Sequence, residues 1–146
     1  MDFFSSMNVS SSALSAERTR MNLISGNLAN ASTTRTPEGG PYKRKDAVFA
    51  AAPLENSRFG RALDGAAGQG VRQVAVERIV EDQSPPRVQY DPGHPDADAQ
   101  GYVALPNVNV IEEMTDMLSA SRAYEANITA VQAAKSMALK TLEISK

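Results

Sequence analysis

The sequence predicts a mainly α protein whose N-terminal and C-terminal helices pair as a coiled coil, with a short irregular or β-rich segment between them. All eight prolines lie between Pro37 and Pro106, and eight of the nine glycines lie between Gly39 and Gly101. Because both residue types interrupt helices, the two ends can be continuous helix while the middle must turn often. The expected division is an N-terminal helix, a loop with a small β element and a C-terminal helix, at residues 1–34, 35–106 and 107–146.

The N-terminal segment carries one narrow apolar stripe. Four apolar residues recur at seven-residue spacing, which is typical of a helix that packs along one side. They are Met7, Leu14, Met21 and Leu28. Ile24 lies on the adjacent row, but Ser10 and Glu17 share that row and weaken it. A helix with so narrow a stripe is marginal alone, so we expect this segment to become ordered only on assembly with a partner.

The C-terminal segment has the more regular pattern. Its candidate seam residues alternate steps of three and four, which is coiled-coil spacing sustained over several heptads. They are Val110, Met114, Met117, Ser121, Tyr124, Ile128, Val131, Lys135, Ala138 and Leu142. Residues of high helix propensity fill much of the same run. Local preference and periodicity therefore agree on one long helix.

The middle of the chain contains short runs that favour strands. Residues 71–80 are rich in β-branched side chains and partly alternate, and residues 87–90 follow the same pattern. Pro85 and Pro86 separate these two runs, which suggests that they pair as a small hairpin. Two further runs, 42–49 and 101–105, are candidate edge strands. Residues 55–70 hold four glycines with little periodicity, and we interpret them as a mobile loop.

Charge and composition exclude several classes of function. The net charge is −2 with no basic block, so nothing could neutralise a run of phosphates and we expect no nucleic-acid partner. The absence of cysteine excludes disulfides, thiolate nucleophiles and cysteine-based zinc sites. No stretch approaches the length of a membrane span, and the first residues lack the pattern of a secretory signal. We expect neither membrane insertion nor a cleaved leader.

The strongest candidate for chemistry is the run from residue 91 to residue 98. One imidazole and three carboxylates there could form a metal site, or the centre of a small soluble hydrolytic domain. These residues are Asp91, His94, Asp96 and Asp98. The competing interpretation is a polar turn, because Asp-Pro-Gly followed by a second proline is strong turn chemistry. We favour the turn and keep the metal-binding or hydrolytic domain as the alternative.

No other motif indicates catalysis. The serines near the N-terminus have no neighbouring histidine, and the glycines near residue 68 lack the lysine of a phosphate loop. The carboxylate pairs Glu112–Glu113 and Glu81–Asp82 are adjacent in sequence, so their side chains point apart and we expect both pairs to be solvated. The sequence therefore predicts no enzyme activity, no cofactor and no small-molecule substrate.

Two motifs within the helices are more informative. In residues 25–32, a glycine and two asparagines interrupt the apolar stripe near its end. They either permit close backbone approach or end the helix with Asn30 as its cap, and the residues alone favour neither. In residues 122–127, Tyr124 faces the seam and is flanked by polar side chains that can reach a partner helix.

Taken together, these motifs resemble the paired signatures of bacterial flagellar rod and hook proteins. The turn at residues 90–98 followed by Gly-Tyr-Val is similar to that of the proximal rod subunits within this family. The resemblance covers both ends of the chain and the turn before the second helix. The residues that carry the signatures are 25–31, 101–109, Glu113, Met114, Arg122 and 124–127.

The resemblance implies a structural subunit that polymerises helically through its terminal helices into the rod that crosses the periplasm. It implies export through the flagellar type III apparatus without a cleaved leader. The expected partners are copies of the chain, other rod proteins, and the base and export-gate proteins of the basal body. The expected interface residues are Met7, Leu14, Met21, Ile24, Asn27, Leu28, Asn30, Met114, Met117, Arg122, Tyr124, Asn127, Ile128 and Val131.

Overall fold

The computed structural model describes residues 3–53 and 72–144. Two long terminal helices enclose a middle made of short antiparallel strands, as the sequence predicts. No helix in this described part is both long and apolar enough to cross a membrane. The elements in chain order are α1 (Phe3–Ala29), β1 (Lys45–Pro53), β2 (Arg72–Glu81), β3 (Arg87–Tyr90), β4 (Tyr102–Leu105) and α2 (Val110–Ile144).

The two helices run antiparallel and pack side by side. Asn27, in the last turn of α1, contacts Glu113, in the first turn of α2, and the helices remain in contact along their lengths. Both helices rise about 1.5 Å per residue, so Phe3 lies roughly level with Met137. The final turns of α2 therefore extend beyond the start of α1.

Helix α1 ends at Ala29, five residues earlier than residue 34, where the sequence analysis set the boundary. The Asn30 side-chain amide donates to the Gly26 carbonyl at 2.9 Å, and the Asn30 backbone N–H donates to the same oxygen at 3.1 Å. Thr33 continues the turn by donating its hydroxyl to the Asn30 side-chain oxygen. Asparagine side chains compete for backbone partners in this way and so favour helix ends.

Strands β1 and β2 form a two-stranded ribbon that lies along α1. Lys45 pairs with Glu81 at one end and Pro53 with Arg72 at the other, with a bulge at Val48 and Phe49. Near the first end, Lys45 is hydrogen-bonded to Asn27 of α1. Towards the other end, the Val74 backbone N–H donates to the Ser12 hydroxyl of α1 at 3.1 Å. Helix α1 is thus flanked by α2 and by the ribbon.

Strands β3 and β4 form a second, shorter sheet that leads into α2. Arg87 pairs with Leu105 and Tyr90 with Tyr102. Gly101, just before β4, has a φ of +83°, and a Cβ there would lie 2.9 Å from the Tyr90 ring. Only glycine therefore fits this turn without displacing a neighbour.

The predicted hairpin between residues 71–80 and 87–90 is wrong. Both runs are strands, but β2 pairs with β1 and β3 pairs with β4. Their partners are the two runs that the sequence marked only as candidate edge strands. Strand β2 pairs with β1 where both strands pack along α1. A local sequence pattern cannot predict this pairing, because it depends on contacts between segments that are distant in sequence. The loop interpretation of residues 55–70 lies outside the described residues.

The buried apolar set is small. Within the described part it consists of Ala16, Ile24, Val103, Val108, Ala120 and Ala134. Three of these six are alanines, which remove little apolar area from water, so the fully buried residues alone contribute little to the stability of the helix pair. Partly buried apolar side chains and polar contacts contribute the rest.

Candidate assembly interface

Five residues form a polar cluster where α1, β1 and α2 meet, which we call the polar node. Its members are Asn27, Tyr42, Arg44, Lys45 and Glu113. Asn27 and Glu113 are 0% and 1% exposed, so this cluster includes the two most buried polar side chains of the described structure. Buried polar groups are tolerated only where they are hydrogen-bonded.

The Asn27 amide uses its full hydrogen-bonding capacity. Its Nδ2 donates to the Lys45 carbonyl at 2.9 Å and to Glu113 Oε2 at 3.0 Å. Its Oδ1 accepts from the Lys45 backbone N–H at 2.9 Å and from the Tyr42 hydroxyl at 3.0 Å. A side-chain amide has two donor hydrogens and two acceptor lone pairs, so every site is filled. Asparagine is required here because neither aspartate nor leucine could make the same set.

Glu113 is held from two sides. While its Oε2 accepts from Asn27, its Oε1 accepts from Arg44 Nε in a charge-assisted hydrogen bond. Arg44 also lies 3.3 Å from an Asp46 carboxylate oxygen and 3.7 Å from one of Asp116. The carboxylate also sits in the first turn of α2, where the helix dipole favours negative charge. This pairing compensates the cost of burying the charge.

Protonation equilibria at the node follow from burial and neighbouring charge. Burial alone would lower the pKa of Arg44, but hydrogen bonding and charge from Glu113, supported by Asp46, outweigh it and raise that pKa above its ordinary value. Burial raises the pKa of Tyr42, and Glu113 and Glu81 add to this effect against the opposing charge of Lys45. Arginine therefore stays charged and tyrosine stays a hydrogen-bond donor at neutral pH.

The expected interface residues occupy different environments. Partly buried in the single chain are Leu14, Met21, Leu28, Asn30, Met117, Tyr124, Asn127, Ile128 and Val131, whereas Ile24 and Asn27 are fully buried. Met7 and Met114 are exposed at 38% and 60%, and Arg122 is exposed. Asn127 donates to the Ala123 carbonyl of its own helix. Their part in assembly remains a prediction.

The face that α2 buries overlaps the predicted seam and extends to one side of it. One predicted row, Met117, Tyr124, Val131 and Ala138, lies partly buried as expected. A second row, made of Glu113, Ala120, Asn127 and Ala134, is buried or partly buried, whereas in the predicted row Ser121 and Ile128 are partly buried and Met114 and Lys135 are exposed. The small side chains of Ala120 and Ala134 let the backbones of the two helices approach closely. Glu113 faces Asn27 because the two are hydrogen-bonded. These two contacts, more than the larger apolar side chains, determine which face of α2 is buried.

The sequence pattern predicted only one member of the polar node. Asn27 was an expected interface residue, whereas Glu113 was expected to be solvated, and its 1% exposure contradicts that expectation. The run of residues 42–49, which contains Tyr42, Arg44 and Lys45, was predicted only as a candidate edge strand. The seven-residue recurrence of Glu113, Ala120, Asn127 and Ala134 was the available signal, because a small and polar row can also mark a buried face. Gly26 needs no tight approach, since a Cβ there would lie 3.9 Å from the Tyr42 hydroxyl.

Residues 91–101 form the polar turn. Asp91 Oδ1 accepts from the Gly93 backbone N–H, and Asp98 Oδ1 accepts from the N–H groups of Gln100 and Tyr102. Asp96 accepts the Thr34 hydroxyl at 2.7 Å and donates its own N–H to His94 Nδ1. These hydrogen bonds therefore stabilise the turn and connect it to the segment that follows α1. In the part of the chain that is described, no three or more His, Asp or Glu residues are placed to hold a metal ion.

Comparison with known proteins identifies the family. A family model described as "Flagella basal body rod protein" matches residues 7–35, and one described as "Flagellar basal body rod FlgEFG protein C-terminal" matches residues 99–144. Flagellar basal-body rod protein FlgC of Borreliella burgdorferi is 49% identical over 99% of this chain and 98% of that protein. The FlgC proteins of Bacillus subtilis and Salmonella typhimurium are 45% and 42% identical, over 100% and 94% of this chain and of their own lengths. The chain belongs to the FlgC family of flagellar basal-body rod proteins.

Proposed function

We propose that this chain is a structural subunit of the proximal part of the bacterial flagellar basal-body rod and polymerises helically through its terminal helices. The polar node is the observation that carries this proposal. Asn27 lies in the segment that matches the N-terminal rod model, and Glu113 lies in the segment that matches the C-terminal one. One hydrogen bond therefore joins the segments that carry the two family signatures.

The terminal helices pair as a coiled coil in the assembled rod. Two features support this. Glu113, Ala120, Asn127 and Ala134 recur every seven residues on the buried side of α2, with Met117, Tyr124 and Val131 beside them. The buried apolar set is also too small to hold the pair rigidly by itself. Ordering of the pair is therefore coupled to contact with neighbouring subunits.

The three parts of the chain have different roles in this proposal. The divisions 1–34 and 107–146, which contain α1 and α2, are the polymerising parts and line the export channel. Residues 35–106 form the outer element, whose ribbon braces α1 through Ser12 and Asn27. The alternative function, a metal-binding or hydrolytic domain, is unsupported because the carboxylates of residues 91–98 are engaged in turn contacts. The subunit is structural and not an enzyme.

The proposed partners are copies of this chain, other rod proteins, and the base and export-gate proteins of the basal body. The proposed location is the rod that spans the periplasm, reached by type III export without a cleaved leader. Contacts between copies related by a screw operation do not close, which is the geometry by which a tube grows. The chain takes no small-molecule substrate and binds no nucleic acid.

Complementation tests the function directly. A strain that lacks its own copy of this gene is given the chain, and basal bodies are purified and probed for it. The wild-type chain is expected in the rod, with motility restored. Leu28→Asp or Ile128→Asp should be expressed yet absent from rods, because a carboxylate enters the helix contact. Ala126→Asp, on the exposed side of α2, is the matched control. Normal motility with Ile128→Asp would refute the seam.

Coupled ordering has its own test. Circular dichroism and sedimentation of the purified chain are measured over a range of concentrations. Helix content should rise with concentration as subunits associate. A monomer that stays fully helical and unfolds cooperatively at the lowest concentration would contradict the proposal.

A further inference from the structure

Glu17 of α1 has a buried carboxylate oxygen that lacks a hydrogen-bond partner. Within residues 3–53 and 72–144, its Oε2 is the one buried side-chain polar atom in this condition. Neither oxygen of this carboxylate forms an ion pair with another described residue. A buried acceptor without a partner lowers stability, and the loss is larger when the group is charged. Native structures retain few such groups, so the position of Glu17 is informative.

Glu17 lies on the side of α1 that packs against α2. It stands seven residues before the fully buried Ile24, and this spacing keeps the two side chains on one face of a helix. Ser12, which is hydrogen-bonded to the ribbon, stands five residues before Glu17. Five residues correspond to one full turn of a helix and about 140° more. The ribbon therefore contacts a different side of α1.

Glu17 is near the middle of the helix pair, where the two backbones come close. Because Asn27 is hydrogen-bonded to Glu113 and the helices are antiparallel, Glu17 is level with the part of α2 that lies ten residues beyond Glu113. Within one turn of this level, Ala16 and Ala120 are 3% and 0% exposed. Small side chains let the helices approach closely here, which accounts for the enclosure of one Glu17 oxygen.

The cations nearest in height do not compensate the charge of Glu17. Arg122 of α2 is exposed and follows Glu113 by nine residues, which places it half a turn away from the buried face. Arg18 is exposed on the outer side of α1. Arg20, three residues after Glu17, forms no ion pair with any residue that the structure describes. Glu17 thus differs from Glu113, whose two oxygens both have partners.

We propose that Glu17 is a built-in weak point of the helix pair, which prevents α1 and α2 from pairing stably in a single chain. When the helices separate, water solvates the carboxylate, so separation recovers the free energy that its burial costs. Stable pairing then requires the additional contacts of neighbouring subunits. This last step rests on the proposed function and specifies how ordering is coupled to assembly.

Urea unfolding of the purified full chain, at a concentration where it is folded, tests the weak point. Glu17→Gln removes only the charge, and Glu17→Met replaces the carboxylate by an apolar group of similar length. Both should raise the urea midpoint, by about 0.5 M or more for Glu17→Met. A rise is diagnostic because most substitutions destabilise a protein. Glu125→Met, at an exposed carboxylate of α2, is the matched control and should move the midpoint by no more than about 0.2 M.

Two results of this measurement would overturn the proposal. A midpoint for Glu17→Met at or below that of the wild type would show that burial of the carboxylate does not destabilise the pair. A rise for Glu17→Met without a rise for Glu17→Gln would assign the gain to added apolar surface instead of the lost charge.

Helix content measured against chain concentration tests the coupling to assembly. Circular dichroism with sedimentation should show that Glu17→Met reaches its full helix content as a monomer, at a concentration at least several-fold below that required by the wild type. Coincident curves for the two chains would refute the coupling. Failure of the proposed function gives a different result, because the wild-type chain would then be missing from purified basal bodies whatever Glu17→Met does to stability.

Discussion

At one end of the helix pair, where α1 stops and α2 starts, four hydrogen bonds fill the Asn27 amide and an ion pair holds Glu113. At the other end, α2 runs past the start of α1 with Leu139 and Leu142 exposed at 53% and 67%. The closed end is fixed by directional polar contacts within one chain. The open end has apolar side chains and no partner among the described residues. The chain thus sets its own register at one end and leaves contact surface at the other.

Removing the charge of Glu113 should break the closed end most severely. Glu113→Gln leaves the partly buried Arg44 without its closest counter-charge, and loss of the buried member of an ion pair costs about 3 kcal/mol. Urea unfolding of the purified chain, at a concentration where it is folded, measures the loss. Glu112→Gln, at an exposed neighbour, should change stability by no more than about 0.5 kcal/mol. Equal effects of the two variants would contradict the assigned role of Glu113.

Truncating Asn27 should have the next largest effect. Asn27→Ala leaves the Lys45 backbone groups and the Tyr42 hydroxyl without partners, which costs about 2 kcal/mol at a buried site. Urea unfolding again measures the change, with Asn22→Ala on the exposed side of α1 as control. If Asn27→Asp matched the wild type, the two donated hydrogen bonds would be irrelevant and the node would need revision.

Tyr42→Phe should cost less, about 1 kcal/mol, because it removes one hydrogen bond to Asn27. It should also change the dependence of stability on pH. Since the pKa of Tyr42 is raised by burial, its contribution is complete below the ordinary tyrosine pKa of about 10 and is lost as pH rises through the folded-state pKa. The Phe variant should lack this alkaline loss. Tyr90→Phe, at an exposed tyrosine, should keep it.

The open end should tolerate change in the isolated chain. Leu142→Gln keeps helix propensity and removes an exposed apolar group, so the free energy of unfolding should move by no more than about 0.5 kcal/mol. Thermal melting followed by circular dichroism measures this shift. A loss above about 1 kcal/mol would show that Leu142 is packed within the single chain, and the contrast between the ends would fail.

The helices and the strands could be predicted from the sequence because each depends on the preferences of residues within one short segment. The gap in proline between residues 107 and 146 and the β-branched run of β2 each reflect propensity that short segments express alone. The pairing of the strands could not be predicted from the sequence, because β2 pairs with β1 where both pack on the surface of α1. The burial of Glu113 was hidden as well, because its stabilising partners, Arg44 and Asn27, are distant in sequence. Polarity predicts solvent exposure only when such partners are missing.

The Asn27–Glu113 hydrogen bond also has a kinetic consequence, because it closes a loop of 86 residues. Closing a long loop costs conformational entropy before the contact contributes any stabilising free energy. Chains with many contacts of high sequence separation fold slowly. Each helix can therefore form while the chain is still open, and the node closes only when Asn27 and Glu113 are present together. A chain that passes through a narrow channel with its N-terminus first stays unclosed until the first turn of α2 has emerged.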